Sequence, residues 1–109
     1  MKPVSRGELK CMVNNGQDII LVEVLDAADY QRFHLPGAIN VPMDESFDER
    51  IQDAVPDKTR RVVVYCLNPE TDLSRKAGRR MDELGYTQVH DYEPGKMDWK
   101  LAGLPVVSG

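Results

Sequence analysis

An α/β fold with a mainly parallel sheet, covered by helices on both faces, is what this sequence predicts. Three observations carry that prediction. Two runs, Ile19–Val24 and Val62–Tyr65, are almost continuously apolar and β-branched, the pattern of strands buried on both faces. Strand-like runs alternate along the chain with stretches of helical periodicity, which calls for parallel strands joined by helical crossovers. Glycine and proline stop signals fall between them, at Gly16, Pro36-Gly37, Pro56, Gly85 and Pro94-Gly95. With 109 residues, residues 1–109 are expected to form a single domain around one core.

Each element has its own local reason. Ser5-Arg6-Gly7-Glu8 has capping-box spacing and opens a helix to about Asn14, with Leu9, Met12 and Val13 on one side. The Ile19–Val24 strand follows. Asp26 is placed to cap a short helix carrying Ala27, Tyr30 and Phe33, and His34-Leu35-Pro36-Gly37 then turns the chain. Ala38–Val41 reads as a short strand ended by Pro42. Ser46-Phe47-Asp48-Glu49 repeats the capping-box spacing and predicts a helix to Val55, stopped by Pro56. After the Arg61–Tyr65 strand, Leu73, Ala77, Met81 and Leu84 make the apolar stripe of a helix ended by Gly85. Thr87–Tyr92 is another strand, Met97–Leu101 a short helix with Trp99, and Gly103–Val107 closes the chain.

Composition excludes several classes. Eighteen acidic against fourteen basic side chains give a net charge of −4, which argues against nucleic acid as a partner. No stretch reaches transmembrane length, so no membrane partner is expected. The amino end, Met1–Arg6, has no apolar run behind it and gives no signal-peptide pattern. Two cysteines do not form a disulfide framework, so the expected compartment is the cytosol, where thiols stay reduced. The two cysteines and two histidines lie far apart and lack zinc-ligand spacing, so no metal is expected. Nothing specifies an oligomer.

The stretch with chemical content is Val62 to Ala77, where a buried strand runs into Cys66, a polar loop and a helix. In open α/β sheets, ligands bind at the carboxyl ends of the strands. Backbone N–H groups of the loop and first helical turn lack intrahelical partners and favour an anion there. A thiolate is such an anion, and this setting lowers a cysteine's pKa. Cys66 is therefore the candidate nucleophile, and Leu67, Asn68, Pro69, Glu70, Thr71, Asp72, Leu73 and Ser74 form its loop. Pro69 has no N–H to offer. Donors are expected from Leu67, Asn68, Glu70, Thr71, Asp72 and Leu73, with Thr71 and Ser74 adding hydroxyls. The alternative reading of Cys66 is a small buried hydrophobe at a strand end. Cys11 lies off the Leu9/Val13 stripe and is expected to be incidental; His34 and Trp99 are expected to be structural. Of Arg75, Lys76, Arg79 and Arg80, a solvated helix face is the expected use.

Taken together, the chain resembles a single-domain rhodanese. The resemblance runs from Ser5 to Val107 and rests on Leu21–Leu25, Tyr30, Phe33, His34–Pro42, Val62–Cys66, Ser74, Ala77, Leu84-Gly85-Tyr86, Val89, Tyr92, Gly95, Trp99 and Ala102–Val106. It implies a rhodanese-like, five-stranded, mainly parallel sheet. It also implies transfer of sulfane sulfur through a persulfide on Cys66. The implied partners are a small-molecule or protein sulfur donor and a thiol acceptor, and no cofactor is needed. The chain departs from the family pattern in three ways. Glu23-Val24-Leu25 stands where Asp-Val-Arg is common, so a bracing arginine is missing. The loop to Ser74 is two residues longer than usual for sulfurtransferases, like a subfamily that often holds a second cysteine mid-loop, where this chain has Glu70-Thr71-Asp72. The loop also carries acids where bases are usual. Like charge raises a thiol's pKa and repels thiosulfate, so weak thiosulfate activity is expected, improved by Asp72→Arg. A cysteine phosphatase would want arginine where Asp72 stands, which disfavours that chemistry. A non-catalytic rhodanese-like binding or regulatory module is the alternative.

Overall fold

The computed structural model describes residues 1–109. The two apolar runs lie side by side in the middle of one sheet, because only there can both of their faces be covered. In chain order the elements are β1 (Lys2–Pro3), α1 (Arg6–Asn14), β2 (Ile19–Glu23), α2 (Ala27–Arg32) and β3 (Ile39–Asn40). They continue as α3 (Phe47–Ala54), β4 (Arg61–Tyr65), α4 (Leu73–Glu83), β5 (Gln88–Tyr92) and α5 (Gly95–Leu101). The strand order is β1-β5-β4-β2-β3, and every neighbouring pair is parallel. The expected α/β sheet is thus present.

Strand residues alternate between two cores. Val22, Val62, Val64 and Val89 face Phe47 and Ile51 of α3 and Ala77 and Met81 of α4. Leu21, Val63, Tyr65 and Tyr92 face Leu9 of α1, Leu35 and Trp99 of α5. Cys66 continues the Val62/Val64 side, so its side chain enters the α3/α4 core.

The helix caps show which local signals took hold. At α1, Ser5 Oγ accepts from the Glu8 N–H at 3.1 Å, and Glu8 Oε1 accepts from the Ser5 N–H at 3.0 Å, completing the box. Asp26 caps α2 through the Asp29 N–H at 2.9 Å. The box expected at Ser46 does not form: Ser46 has φ −97° and ψ 4°, and its side chain makes no cap bond. Asp44 is the reason. Its side chain accepts from the Ser46 N–H at 2.9 Å and its carbonyl from the Phe47 N–H at 3.1 Å, holding Ser46 in a turn. At the end of α4, Gly85 takes φ +97°. Gly85 N–H then bonds the Asp82 carbonyl and Tyr86 N–H the Met81 carbonyl, both at 3.1 Å, which closes the helix as a Schellman motif.

Two features depart from the sequence reading. The edge strand β1 was not expected; its two residues, one a proline, carry no period, and it exists because it pairs with His90 and Asp91 of β5. The last helix starts at Gly95, two residues before the expected Met97. The terminal segment returns to the α2 side, where Val107 and His34 exchange backbone bonds of 2.8 and 2.9 Å. No helix is long and apolar enough to cross a membrane.

Candidate active site

β4 ends at Tyr65, and Cys66 follows with 1% of its surface exposed. Leu67 and Leu73 pack against the α3/α4 core and anchor the two ends of the loop. Between them the loop is tied by its own side chains. Asn68 Oδ1 accepts from the Thr71 N–H at 3.1 Å and from the Thr71 hydroxyl at 2.8 Å. Asp72 takes φ +63°, a conformation that Asp and Asn tolerate better than most residues. Its carboxylate accepts from Arg75 Nε at 2.6 Å and from Arg75 Nη2.

From below, α5 holds the loop backbone. Lys96 N–H donates to the Cys66 carbonyl at 2.9 Å and Met97 N–H to the Leu67 carbonyl at 3.1 Å. Gly95 makes this approach possible. Its φ is +81°, and a Cβ there would lie 2.4 Å from the Leu67 carbonyl oxygen and 2.6 Å from the Asn68 nitrogen. Beneath α5 sits a buried ion pair that the sequence reading did not identify. Lys96 Nζ donates to Glu23 Oε2 at 3.1 Å, to the Asp29 carbonyl at 2.8 Å and to the Phe33 carbonyl at 2.7 Å. Burial pushes the Glu23 carboxyl above its ordinary range, while the Lys96 ammonium and the Tyr65 hydroxyl pull it back. Leu25, standing where the family pattern places arginine, packs in the α3/α4 core.

The thiol faces a pocket of about 10 Å³, close to the space one water needs. Cys66, Asn68, Pro69, Asp72, Ser74, Arg75, Asp91 and Glu93 line it. Four of the expected loop residues, Asn68, Pro69, Asp72 and Ser74, are thus brought together with Cys66, while Leu67, Glu70, Thr71 and Leu73 stay outside the lining. Cys66 Sγ lies 3.4 Å from Ser74 Oγ and 3.6 Å from the Asn68 carbonyl oxygen. Two expectations are corrected. The Thr71 hydroxyl serves Asn68 and not sulfur, because the turn brings the two side chains together. Arg75, expected on a solvated helix face, folds back onto Asp72 and lines the pocket. The backbone N–H groups of Leu67, Asn68, Glu70, Asp72 and Leu73 donate to no protein acceptor. No group of three or more His, Cys, Asp or Glu side chains is placed to hold a metal ion.

Asp91 was also missed. It is 5% exposed, and its Oδ1 has no hydrogen-bond partner. Burial pushes its carboxyl up, Ser74 and Arg75 hold it down, and Glu93 and Asp72 raise it. The signal was present: Asp91 is two residues past Val89 and shares its face. Which strand it would lie beside required the register, which pairs it with Val64. The remaining candidates fall where expected. Cys11 is exposed. His34 stacks on Tyr30 with ring centroids 3.8 Å apart. Trp99 is buried, its Nε1 donating to the Pro105 carbonyl at 2.8 Å. Arg80, expected on a solvated helix face, instead is half-buried and pairs with Asp48 of α3 at 2.5 Å.

Several known proteins resemble this chain in sequence or fold. The HTH-type transcriptional regulator Rv0324 of Mycobacterium tuberculosis is 35% identical over 106 residues, covering 97% of this chain and 45% of that protein. The thiosulfate sulfurtransferase PspE of Escherichia coli is 40% identical over 73 residues, covering 64% of each. The chain therefore spans less than two thirds of the length of either relative. Among solved structures, a rhodanese with anions from E. coli superimposes with a TM-score of 0.69 at 37% identity, covering 84% of this chain and 99% of that one. The rhodanese-like domain of the Anabaena protein Alr3790 shares the fold, with a TM-score of 0.86 at 23% identity over 100% of this chain and 80% of that one. The family model for the rhodanese-like domain matches residues 5–102. With four of the five parallel strands (β2 to β5), the strand-end cysteine and its loop inside that match, the chain belongs to the rhodanese-like domain family.

Proposed function

We propose that this protein is a sulfurtransferase that carries sulfane sulfur as a persulfide on Cys66. One observation carries the reading most directly: the Cys66 thiol stands at the carboxyl end of the central strand, inside a loop with five unpaired backbone N–H groups. In the first step Sγ attacks the outer sulfur of a donor R–S–SH. A bond forms between Sγ and that sulfur, the donor's S–S bond breaks, and R–S⁻ leaves with the electron pair. An acceptor thiolate then attacks the outer sulfur of the Cys66 persulfide and returns Cys66 as thiolate. Negative charge resides on sulfur at both stages, and free N–H groups stabilise it without proton transfer.

The pocket mouth favours certain donors. Asp72, Asp91 and Glu93 line it, and its one cation, Arg75, is paired with Asp72. Thiosulfate, a dianion, meets this acidic rim; a protein persulfide or a neutral or cationic small persulfide meets less repulsion. The acceptor is a thiol, and a reducing compartment such as the cytosol suits a mechanism that needs Cys66 reduced. Steady-state transfer from thiosulfate and from cysteamine persulfide, a small donor with a cationic ammonium, tests this. Faster transfer from the persulfide, lost in Cys66→Ala, is expected; equal failure of both donors would refute it.

A second reading, a non-catalytic binding or regulatory module, is favoured by the small pocket and the 1% exposure of Cys66. Labelling at neutral pH separates the two, since an inert Cys66 in folded, reduced protein fits only the module.

A further inference from the structure

We infer that Asp91 is the proton acceptor for the Cys66 thiol, acting through the Ser74 hydroxyl. This rests on the reading of Cys66 as a nucleophile. The three residues meet for a topological reason. β4 and β5 are parallel neighbours with Val64 opposite Asp91, and Cys66 lies two residues beyond Val64 on the same face. The first turn of α4 then places Ser74 over both, and all three line the one small pocket. Ser74 is 2% exposed and its Oγ is 3.4 Å from Sγ. A hydroxyl has one proton; one that accepts from the thiol is free to donate to a carboxylate. Ser74 also helps hold the Asp91 carboxyl against the upward push of burial.

Asp91 is otherwise unexplained. A buried carboxyl oxygen without a partner is costly, and no structural bond here compensates for it. No lysine, arginine or histidine forms an ion pair with it. The charged groups acting on it are Glu93 on its own segment and Asp72 and Arg75 from the loop and α4. Arg75 is engaged by Asp72, so the net field on Asp91 favours taking a proton.

The relay explains how a thiol becomes nucleophilic inside an acidic pocket. Two anions side by side are disfavoured, but one negative charge shared between them is not. As Cys66 loses its proton to Ser74 Oγ, Ser74 passes its own proton to Asp91, leaving thiolate and neutral carboxyl. After attack Sγ is bonded to sulfur and takes no proton, so the proton on Asp91 passes to the departing R–S⁻, giving R–SH. Asp91 acts through Ser74 and is a positioning residue in proton terms, while Cys66 makes and breaks the bonds.

The test is the pH profile of Cys66 alkylation by iodoacetamide, a neutral reagent, followed by mass in a Cys11→Ser background. Wild type, Asp91→Asn and Ser74→Ala are compared, with thermal melts to verify folding. Loss of a general base predicts alkylation at pH 7 slower by about tenfold or more in both variants, with the low-pH limb of the profile removed. A carboxylate that merely adds negative charge predicts the reverse, since Asp91→Asn would then ease thiolate formation. Equal or faster alkylation of Asp91→Asn therefore overturns the proposal. Should that variant fail to fold, an unchanged profile in Ser74→Ala overturns it equally. The assay involves no sulfur donor, so it stands apart from the sulfurtransferase reading: a wild-type profile with the low-pH limb and no sulfur transfer would sink that reading alone.

Discussion

Lys96→Met should be among the most damaging single substitutions in this protein. Lys96 is 1% exposed and Glu23 is 0% exposed. Methionine keeps the aliphatic stem but removes all three donors of Nζ, leaving Glu23 and the Asp29 and Phe33 carbonyls without them. Removing one partner of a buried pair costs about 3–5 kcal/mol, mainly from the uncompensated charge left behind. The two carbonyls lie in the same small space, so their loss is counted within that range. Urea unfolding at several pH values is the assay. Burial already raises the Glu23 pKa above 4.5, its ordinary value. Without Lys96 it rises further. A raised acid contributes stability that is fully present below its unfolded pKa and lost as pH rises through its folded pKa. The penalty in Lys96→Met should therefore be largest at neutral pH and shrink as pH falls toward 4.5. Glu23→Gln combined with Lys96→Met should recover part of the loss at pH 7. A loss below about 1 kcal/mol, or one that does not change with pH, would refute the assignment of a buried ion pair.

Other substitutions probe the loop and its supports. Gly95→Ala places a Cβ against the Leu67 and Asn68 backbone at positive φ, and should cost about 2–4 kcal/mol in urea unfolding; a neutral result would mean that α5 does not grip the loop. Asp72→Asn keeps a residue that tolerates φ +63° while freeing Arg75, and should raise thiosulfate turnover severalfold in a thiocyanate assay; unchanged turnover would count against the acidic rim as the barrier. Tyr86→Phe removes the hydroxyl that donates to the Val55 carbonyl at 2.6 Å and the Ile51 carbonyl at 3.2 Å, and should cost about 1–2 kcal/mol by thermal or urea unfolding; no loss would show that those carbonyls find other donors.

The elements legible in the sequence were those with a local or periodic cause. β2 and β4 announced themselves by continuous apolar runs, and α1 by a capping box that closes in the structure. The same box at Ser46 failed because Asp44, outside the motif, holds Ser46 in a turn. β1 carried no signal, since two residues have no period and its only cause is the edge of β5. The site divides in the same way. Cys66 and its loop are contiguous and could be read directly. Glu23 and Lys96 are separated by 73 positions, and their pairing follows only from the folded arrangement of β2 and α5. Asp91 looked like an ordinary polar residue in a strand until the register placed it beside Val64 and Cys66.

The central claim is that Cys66 carries sulfur, and intact mass tests it most directly. Wild type and Cys66→Ala are exposed in turn to thiosulfate and to a protein persulfide or polysulfide, then to cyanide or a thiol. The account predicts gain of one sulfur atom on wild type alone, more complete with the persulfide donor, and its loss on addition of the acceptor. No adduct from any donor, in folded and reduced protein, would contradict it and leave the binding module as the reading of this domain.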